Sequence, residues 1–148
     1  MDEQVPTQSR NDQLIRVFAL ALLVGAIALR IVHLREKPLW LDEAWSHWFS
    51  GQTWGSLIAG VISYETHPPF YYSALKLWRN LFDDGALALR SLSLIASMAT
   101  LVIVGRTGRS MPHGGMNRSA WLGALALAAV SPPIVEAARQ ARPYALLI

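Results

Sequence analysis

Residues 17–29, VFALALLVGAIAL, form an uninterrupted apolar run within a longer stretch, Leu14 to Leu34, and the run is flanked by Arg16 on one side and by Arg30, Arg35 and Lys37 on the other. At 1.5 Å rise per residue, about 20 helical residues cover the roughly 30 Å hydrocarbon layer of a bilayer. The stretch is long enough to cross, with the arginine side chains expected to snorkel at its margins. A secretory signal peptide is the competing reading. It fits less well, because the polar leader is long for such a segment and Arg30 and His33 stand where a small-residue cleavage site is needed.

The rest of the composition agrees with a membrane chain. Of 148 residues, 53% are hydrophobic and only 16% charged, with a mean hydropathy of +0.29; a soluble domain carries about 25% charge. With no cysteine, disulfides, thiolate zinc sites and cysteine nucleophiles are excluded. The net charge of +3 is small and the arginines are scattered, which argues against nucleic acid as a partner. Two further apolar stretches follow, Ala86 to Gly105 with Arg90 near its start, and Ser119 to about Val135, where Pro132 and Pro133 should kink or end a helix. Such prolines are tolerated in membranes when neighbouring helices satisfy the backbone again. The expected fold class is all-α and polytopic, with spans at about 14–34, 86–105 and 119–137.

Basic residues set the expected orientation. The short segment 106–118 holds Arg106, Arg109 and Arg118 and no acid, which marks a cytoplasmic loop. The amino terminus, with Arg10 and Arg16, then lies inside, and the long loop 35–85 lies outside a plasma (inner) membrane. Treating Phe70 to Phe82 as another span would invert that arrangement, and thirteen helical residues reach only about 20 Å.

Of the 6 Trp, 4 Tyr and 4 Phe in the chain, eleven fall between Trp40 and Phe82. Such rings favour the headgroup layer. Trp45, Trp48 and Phe49 fall at i, i+3, i+4; Leu57, Ile58, Val61 and Ile62 form one helical stripe; Ser73, Lys76 and Arg79 recur every three positions on an otherwise apolar segment. Two or three amphipathic helices lying on the membrane are expected in this loop.

Three polar features interrupt that surface. Asp42-Glu43 follows the first span; Asp42 reads either as a helix cap or as a catalytic acid. Glu65-Thr66-His67-Pro68-Pro69 holds an imidazole just ahead of a proline-started helix, whose free N–H groups and positive dipole end suit a phosphate. Glu136, Arg139, Arg142 and Tyr144 follow the third span as either a snorkelling cluster or an anion clamp. His47, His67 and a carboxylate lack a recognisable metal-ligand spacing, and a divalent metal stays an open question. Ala145 to Ile148 opens another apolar run, so the sequence is expected to be the amino-terminal piece of a larger membrane protein, and inactive alone.

Trp40-Leu-Asp-Glu43, His67-Pro-Pro-Phe-Tyr-Tyr72, Ala88-Leu-Arg90, a basic turn, Ser131-Pro and Arg139-Gln-Ala-Arg-Pro-Tyr144 occur in that order. The combination resembles the amino-terminal module of the GT-C membrane glycosyltransferases, in the glycosyltransferase family 39-like branch similar to protein O-mannosyltransferases and lipid A aminoarabinose transferases. The resemblance implies a catalytic acid in the first external loop and a sugar carried on a polyprenyl phosphate. It matches the family's Asp-Glu motif to Asp42 and Glu43, its proline motif to His67-Pro68-Pro69, and its Arg-x-Tyr segment to Arg142-Pro143-Tyr144. Related transferases place an acid–lysine pair before the two prolines; here Thr66-His67 stands there, leaving His67 as the substitute for phosphate contact. The implied roles are Asp42 as base, Glu43 as an acceptor-positioning or metal-binding neighbour, and His67, Arg139, Arg142 and Tyr144 around the donor phosphate.

Such a transfer suits these residue types. It needs one base for the acceptor hydroxyl and a positive environment for the departing phosphate, but no strong general acid. The implied partners are the polyprenyl-phosphate donor, membrane lipid and an acceptor of unknown identity. Two other classes compete: a non-catalytic membrane-inserted fragment or scaffold subunit, and half of a transporter, which lacks the internal repeat such folds show.

Overall fold

The computed structural model describes residues 6–32, 34–36, 38–110 and 118–147, and among these every regular element is a helix. In chain order they are α1 (Pro6–Ile31), α2 (Leu41–Gly51), α3 (Trp54–Tyr64), α4 (Pro69–Leu81), α5 (Ala86–Ser110), α6 (Arg118–Val130), α7 (Pro132–Ala138) and α8 (Tyr144–Leu147). Two stretches are long and apolar enough to cross a membrane, Gln13–Ile31 in α1 and Ala86–Thr107 in α5; α6 and α7 pass the same test only as a pair bent by 51°. The chain thus carries two candidate membrane spans, or three if the bent pair is one. The first helix stops at Ile31, short of the expected Leu34, because Leu34 turns back to donate its N–H to the Ile31 carbonyl at 3.1 Å. Lys37, the loop residues 111–117 and the side chains of Arg109 and Arg118, on which the orientation argument leans, lie outside the described residues.

The long helices pack through small side chains. Ala19 and Ala26 of α1, Leu101 of α5, and Trp121, Leu125 and Ala129 of α6 form one buried cluster. Alanine at these contacts lets backbones approach closely, which is how helices gain dispersion energy where lipid removes the hydrophobic drive. The Trp121 indole N–H is satisfied by the Val104 carbonyl at 2.9 Å.

The break between α6 and α7 has a specific partner. Pro132 and Pro133 have no N–H to give to the carbonyls four residues earlier, those of Ala128 and Ala129. The fully buried Arg30 supplies the missing donors: Nη2 reaches the Ala128 carbonyl at 2.9 Å and Nη1 the Ala129 carbonyl at 2.7 Å. Its remaining capacity goes to Ser97 Oγ at 3.0 Å from Nε and to the Ala26 carbonyl at 3.1 Å. Arg30 therefore corrects the sequence expectation of a snorkelling margin. Arg16 and Arg35 are exposed, whereas Arg30 turns inward and ties α1, α5 and α6 together.

At the end of the bundle where α5 begins, the three short helices α2, α3 and α4 pack into a second core of Phe49, Leu57, Val61, Tyr71, Tyr72, Leu75 and Leu89, joined by Ala141. Thr53 caps α3 by accepting the Ser56 N–H, and Pro69 occupies the first position of α4, where a missing N–H costs nothing. Of the expected α3 stripe, Leu57 and Val61 are buried while Ile58 and Ile62 face outward. The cations of α4 close the end of α2. Lys76 Nζ donates to the Gln52 carbonyl at 2.5 Å, and Arg79 Nη1 to the His47 carbonyl at 2.7 Å and Ser50 Oγ at 2.9 Å. Positive charge at a helix carboxy terminus is favoured by the backbone dipole. A side chain at Gly51 would meet Arg79 Nη1 at 3.2 Å, so glycine leaves the guanidinium its room.

Replacing Arg30 by Met should destabilise the protein by about 3 kcal/mol, because two buried carbonyls lose their donors. Adding Pro132→Ala and Pro133→Ala to that variant restores two backbone N–H groups and should recover most of the loss. Thermal unfolding in detergent checks both outcomes.

Candidate functional site

Glu43 is the third residue of α2 and is fully buried. Its Oε1 accepts from Arg90 Nε at 2.8 Å and from the Ala141 backbone N–H at 2.9 Å; its Oε2 accepts from Arg90 Nη2 at 2.6 Å and from the Trp40 N–H at 3.4 Å. Arg90 extends the knot to the Leu34 carbonyl at 2.9 Å and the Pro38 carbonyl at 3.0 Å. A carboxylate this deep is tolerable only because nearly every lone pair is met, in part by a bidentate guanidinium. Glu43 also performs the helix-start function, reaching back to the N–H of the residue before α2.

That occupation separates the two acids read together in the sequence. Asp42 is not the cap; Glu43 is. The Asp42 carboxylate, 37% exposed, is left to face Arg142, with Oδ2 at 3.8 Å from Nη2. The Arg142 guanidinium is a meeting point: Nη1 lies 3.5 Å from the Asp42 carbonyl and 3.7 Å from Glu65 Oε1, and its carbon sits 5.5 Å from the centre of the Tyr144 ring. Glu65 Oε2 in turn lies 3.4 Å from His67 Nδ1, and His67 meets the edge of Tyr144 with ring centres 5.4 Å apart. Asp42, His67 and the segment carrying Arg142 and Tyr144, far apart in the chain, are thus brought into one cluster. Glu65 joins it. The sequence reading passed over it as a site residue, although the signal was present as an acid two positions before the imidazole.

The backbone holding Arg142 is pinned from two sides. Glu43 takes the Ala141 N–H, and Ser93 Oγ donates to the Arg142 carbonyl at 3.3 Å. The residue is only 7% exposed, and its Nε is buried without a partner. Burial opposes the charge, but contacts with Tyr144, Tyr72 and Asp42 outweigh it and keep the Arg142 pKa above its ordinary value. Its approaches to both carboxylates exceed the length of a charge-assisted hydrogen bond, so the guanidinium can exchange partners without breaking a tight pair. An aromatic cavity of about 610 Å³, lined by Trp45, Trp48, Phe49, Tyr64 and Glu65, opens beside it and shares Glu65 with the cluster.

Arg139 goes elsewhere. It donates to the Leu29 carbonyl and lines a separate cavity with Glu136 and Gln140, so the structure does not gather it with His67 and Arg142. His47 is likewise apart: its Nε2 lies 3.1 Å from Asp84 Oδ1, a carboxylate it shares with Arg79. Among the described residues no three His, Asp or Glu side chains approach closely enough to hold a metal ion.

Two phenols lie under the cluster. Burial chiefly raises the Tyr71 pKa, tempered by a hydrogen-bonding contact with Ser93, and burial with the negative charge of Glu65 raises that of Tyr72, whose hydroxyl is buried without a well-formed partner. A phenol whose folded pKa is raised stabilises the fold below its unfolded value of 10.0 and loses that contribution as pH climbs through the folded one. In an alkaline absorbance titration, Tyr71 and Tyr72 should ionise only well above pH 10, and Tyr72→Phe should remove one late-titrating phenol. Glu43→Gln or Arg90→Gln should each cost about 3–5 kcal/mol in thermal unfolding, since either leaves a buried charge uncompensated.

Compared with protein-family models, curated proteins and solved structures, the chain has no match.

Proposed function

We propose that the protein is a membrane glycosyltransferase of the GT-C kind, moving a sugar from a polyprenyl-phosphate donor to an acceptor hydroxyl on the outer face of the plasma (inner) membrane. The observation that supports this most is the half-exposed Asp42 carboxylate at 3.8 Å from the buried Arg142, with Glu65 and Tyr144 around the same guanidinium and His67 against both of them. An inverting transfer from phosphate requires a base on one face of the anomeric carbon and a cation for the departing phosphate on the other, and Asp42 and Arg142 supply those two residue types once the sugar comes between them.

In this reading Asp42 takes the proton of the acceptor hydroxyl as its oxygen bonds to the anomeric carbon. The bond from that carbon to the donor phosphate breaks, and the phosphate leaves with the electron pair. Arg142 meets the developing charge, releasing its loose hold on Asp42 and Glu65, while His67 stands ready as the second donor. Glu43 is a positioning residue: through Ala141 it sets Arg142 against Asp42. The exposed aromatic faces of Trp45, Trp48, Trp54, Tyr64 and Phe70 fit a cap lying in the headgroup layer, where a lipid-borne sugar arrives.

A non-catalytic membrane scaffold is the second reading. It is favoured by the balance of charge in the cluster, where Asp42 and Glu65 already face the one cation of Arg142. Asp42→Asn separates the two. In membranes of cells expressing the protein from its native locus, supplied with radiolabelled polyprenyl-phosphate sugars, this change should lower transfer at least about a hundredfold with membrane insertion unchanged. Undiminished transfer removes Asp42 from the role of base, and no transfer by the unsubstituted protein from any donor favours the scaffold.

A further inference from the structure

Arg139 opens a different question. Together with Glu136 and Gln140 it forms the polar wall of a cavity of about 350 Å³, whose opposite wall is apolar and includes Val32, Leu34 and Trp40. Glu43 and Arg90 also contribute to the lining, but Asp42, Glu65, His67 and Arg142 do not. Arg139 is half-buried there and donates from Nη2 to the Leu29 carbonyl, while Gln140 Nε2 donates to Glu136 Oε1 at 3.2 Å. A guanidinium and a carboxylate on one wall of a cavity suit an occupant that carries both charges.

The cavity's level in the fold narrows what that is. Val32 and Leu34 follow the end of the candidate span Gln13–Ile31, Arg90 lies in the first turns of Ala86–Thr107, and Glu136 and Arg139 stand at the close of the bent pair that ends at Ala138. All three hydrophobic segments run out at the same level, where the phosphates of lipid headgroups lie. Charge narrows it further. Glu43 and Arg90 neutralise each other as a bidentate pair, leaving one cation, Arg139, and one exposed anion, Glu136, to face an occupant.

We propose that this cavity binds the headgroup of a zwitterionic membrane phospholipid of the phosphoethanolamine kind. Arg139 donates to the phosphodiester, Glu136 receives the ammonium, and Val32, Leu34 and Trp40 lie along the glycerol and first methylenes. The site requires a membrane lipid but not the transfer reaction proposed above, so its failure and that of the transferase reading are read separately.

Native mass spectrometry of the delipidated protein, offered equal amounts of phosphatidylethanolamine and phosphatidylglycerol, tests this. The unsubstituted protein should retain phosphatidylethanolamine about five-fold over phosphatidylglycerol, and Arg139→Gln should lower retention of both about tenfold, the loss of one charge-assisted phosphate contact. Glu136→Gln should abolish the preference while keeping total retention. Equal retention of the two lipids by the unsubstituted protein, or retention unchanged by Arg139→Gln, overturns the proposal. So does binding of soluble glycerophosphoethanolamine as tight as that of the lipid, which would assign the cavity to a free phosphoester. Glu136 is exposed, so its variant decides the headgroup preference even if Arg139→Gln fails to fold.

Discussion

The buried pair of Glu43 with Arg90 is the constraint on which the rest of the arrangement depends. It gathers the segment after α1, the start of α2, the first turns of α5 and the turn after α7 around one carboxylate and one guanidinium. Two charges taken out of water at this depth hold together only when their hydrogen-bonding capacity is met, so each of those segments has one place to go. Because Glu43 grips the backbone of Ala141, its neighbours in sequence, Asp42 and Arg142, come to face each other. The geometry of the candidate site follows from a pair that is itself buried.

Arg30 repeats the same physics lower in the bundle. Prolines at 132 and 133 bend the chain by 51° and strip two carbonyls of their helical partners. In an apolar surrounding each orphaned carbonyl is expensive, and one guanidinium with its planar fork is shaped to take both. The bend and the arginine are a matched set, and the turn carrying Arg139 and Arg142 leaves the bundle at the angle they set.

Much of the fold was legible in the chain. The run from Val17 to Leu29 reads as a crossing helix because length and apolarity alone decide it, and the aromatic spacing around Trp45 reads as a short amphipathic helix because 3.6 residues make a turn. Pro68 and Pro69 announce the start of α4 through their missing N–H groups. What could not be read was which way a long charged side chain turns. Arg30 has the same flanking position as Arg16 and Arg35, yet it alone meets freed carbonyls, and those belong to a helix almost a hundred residues later. Arg139 and Arg142 look equivalent in a stretch of alternating polarity, but the turn sends one toward α1 and the other toward Asp42.

Sequence by itself determined that this is an all-helical chain with hydrophobic stretches long enough to cross a bilayer and an aromatic-rich segment between the first two, since those properties depend only on composition and period. The tertiary structure decided which acid is free. Asp42 and Glu43 are adjacent and chemically alike, and one turn of α2 places Glu43 against Arg90 and the Ala141 N–H while Asp42 stays at the rim beside Arg142. The physical reason is that a carboxylate's availability depends on the donors around it, and here those donors come from segments separated from it by about fifty and about a hundred residues.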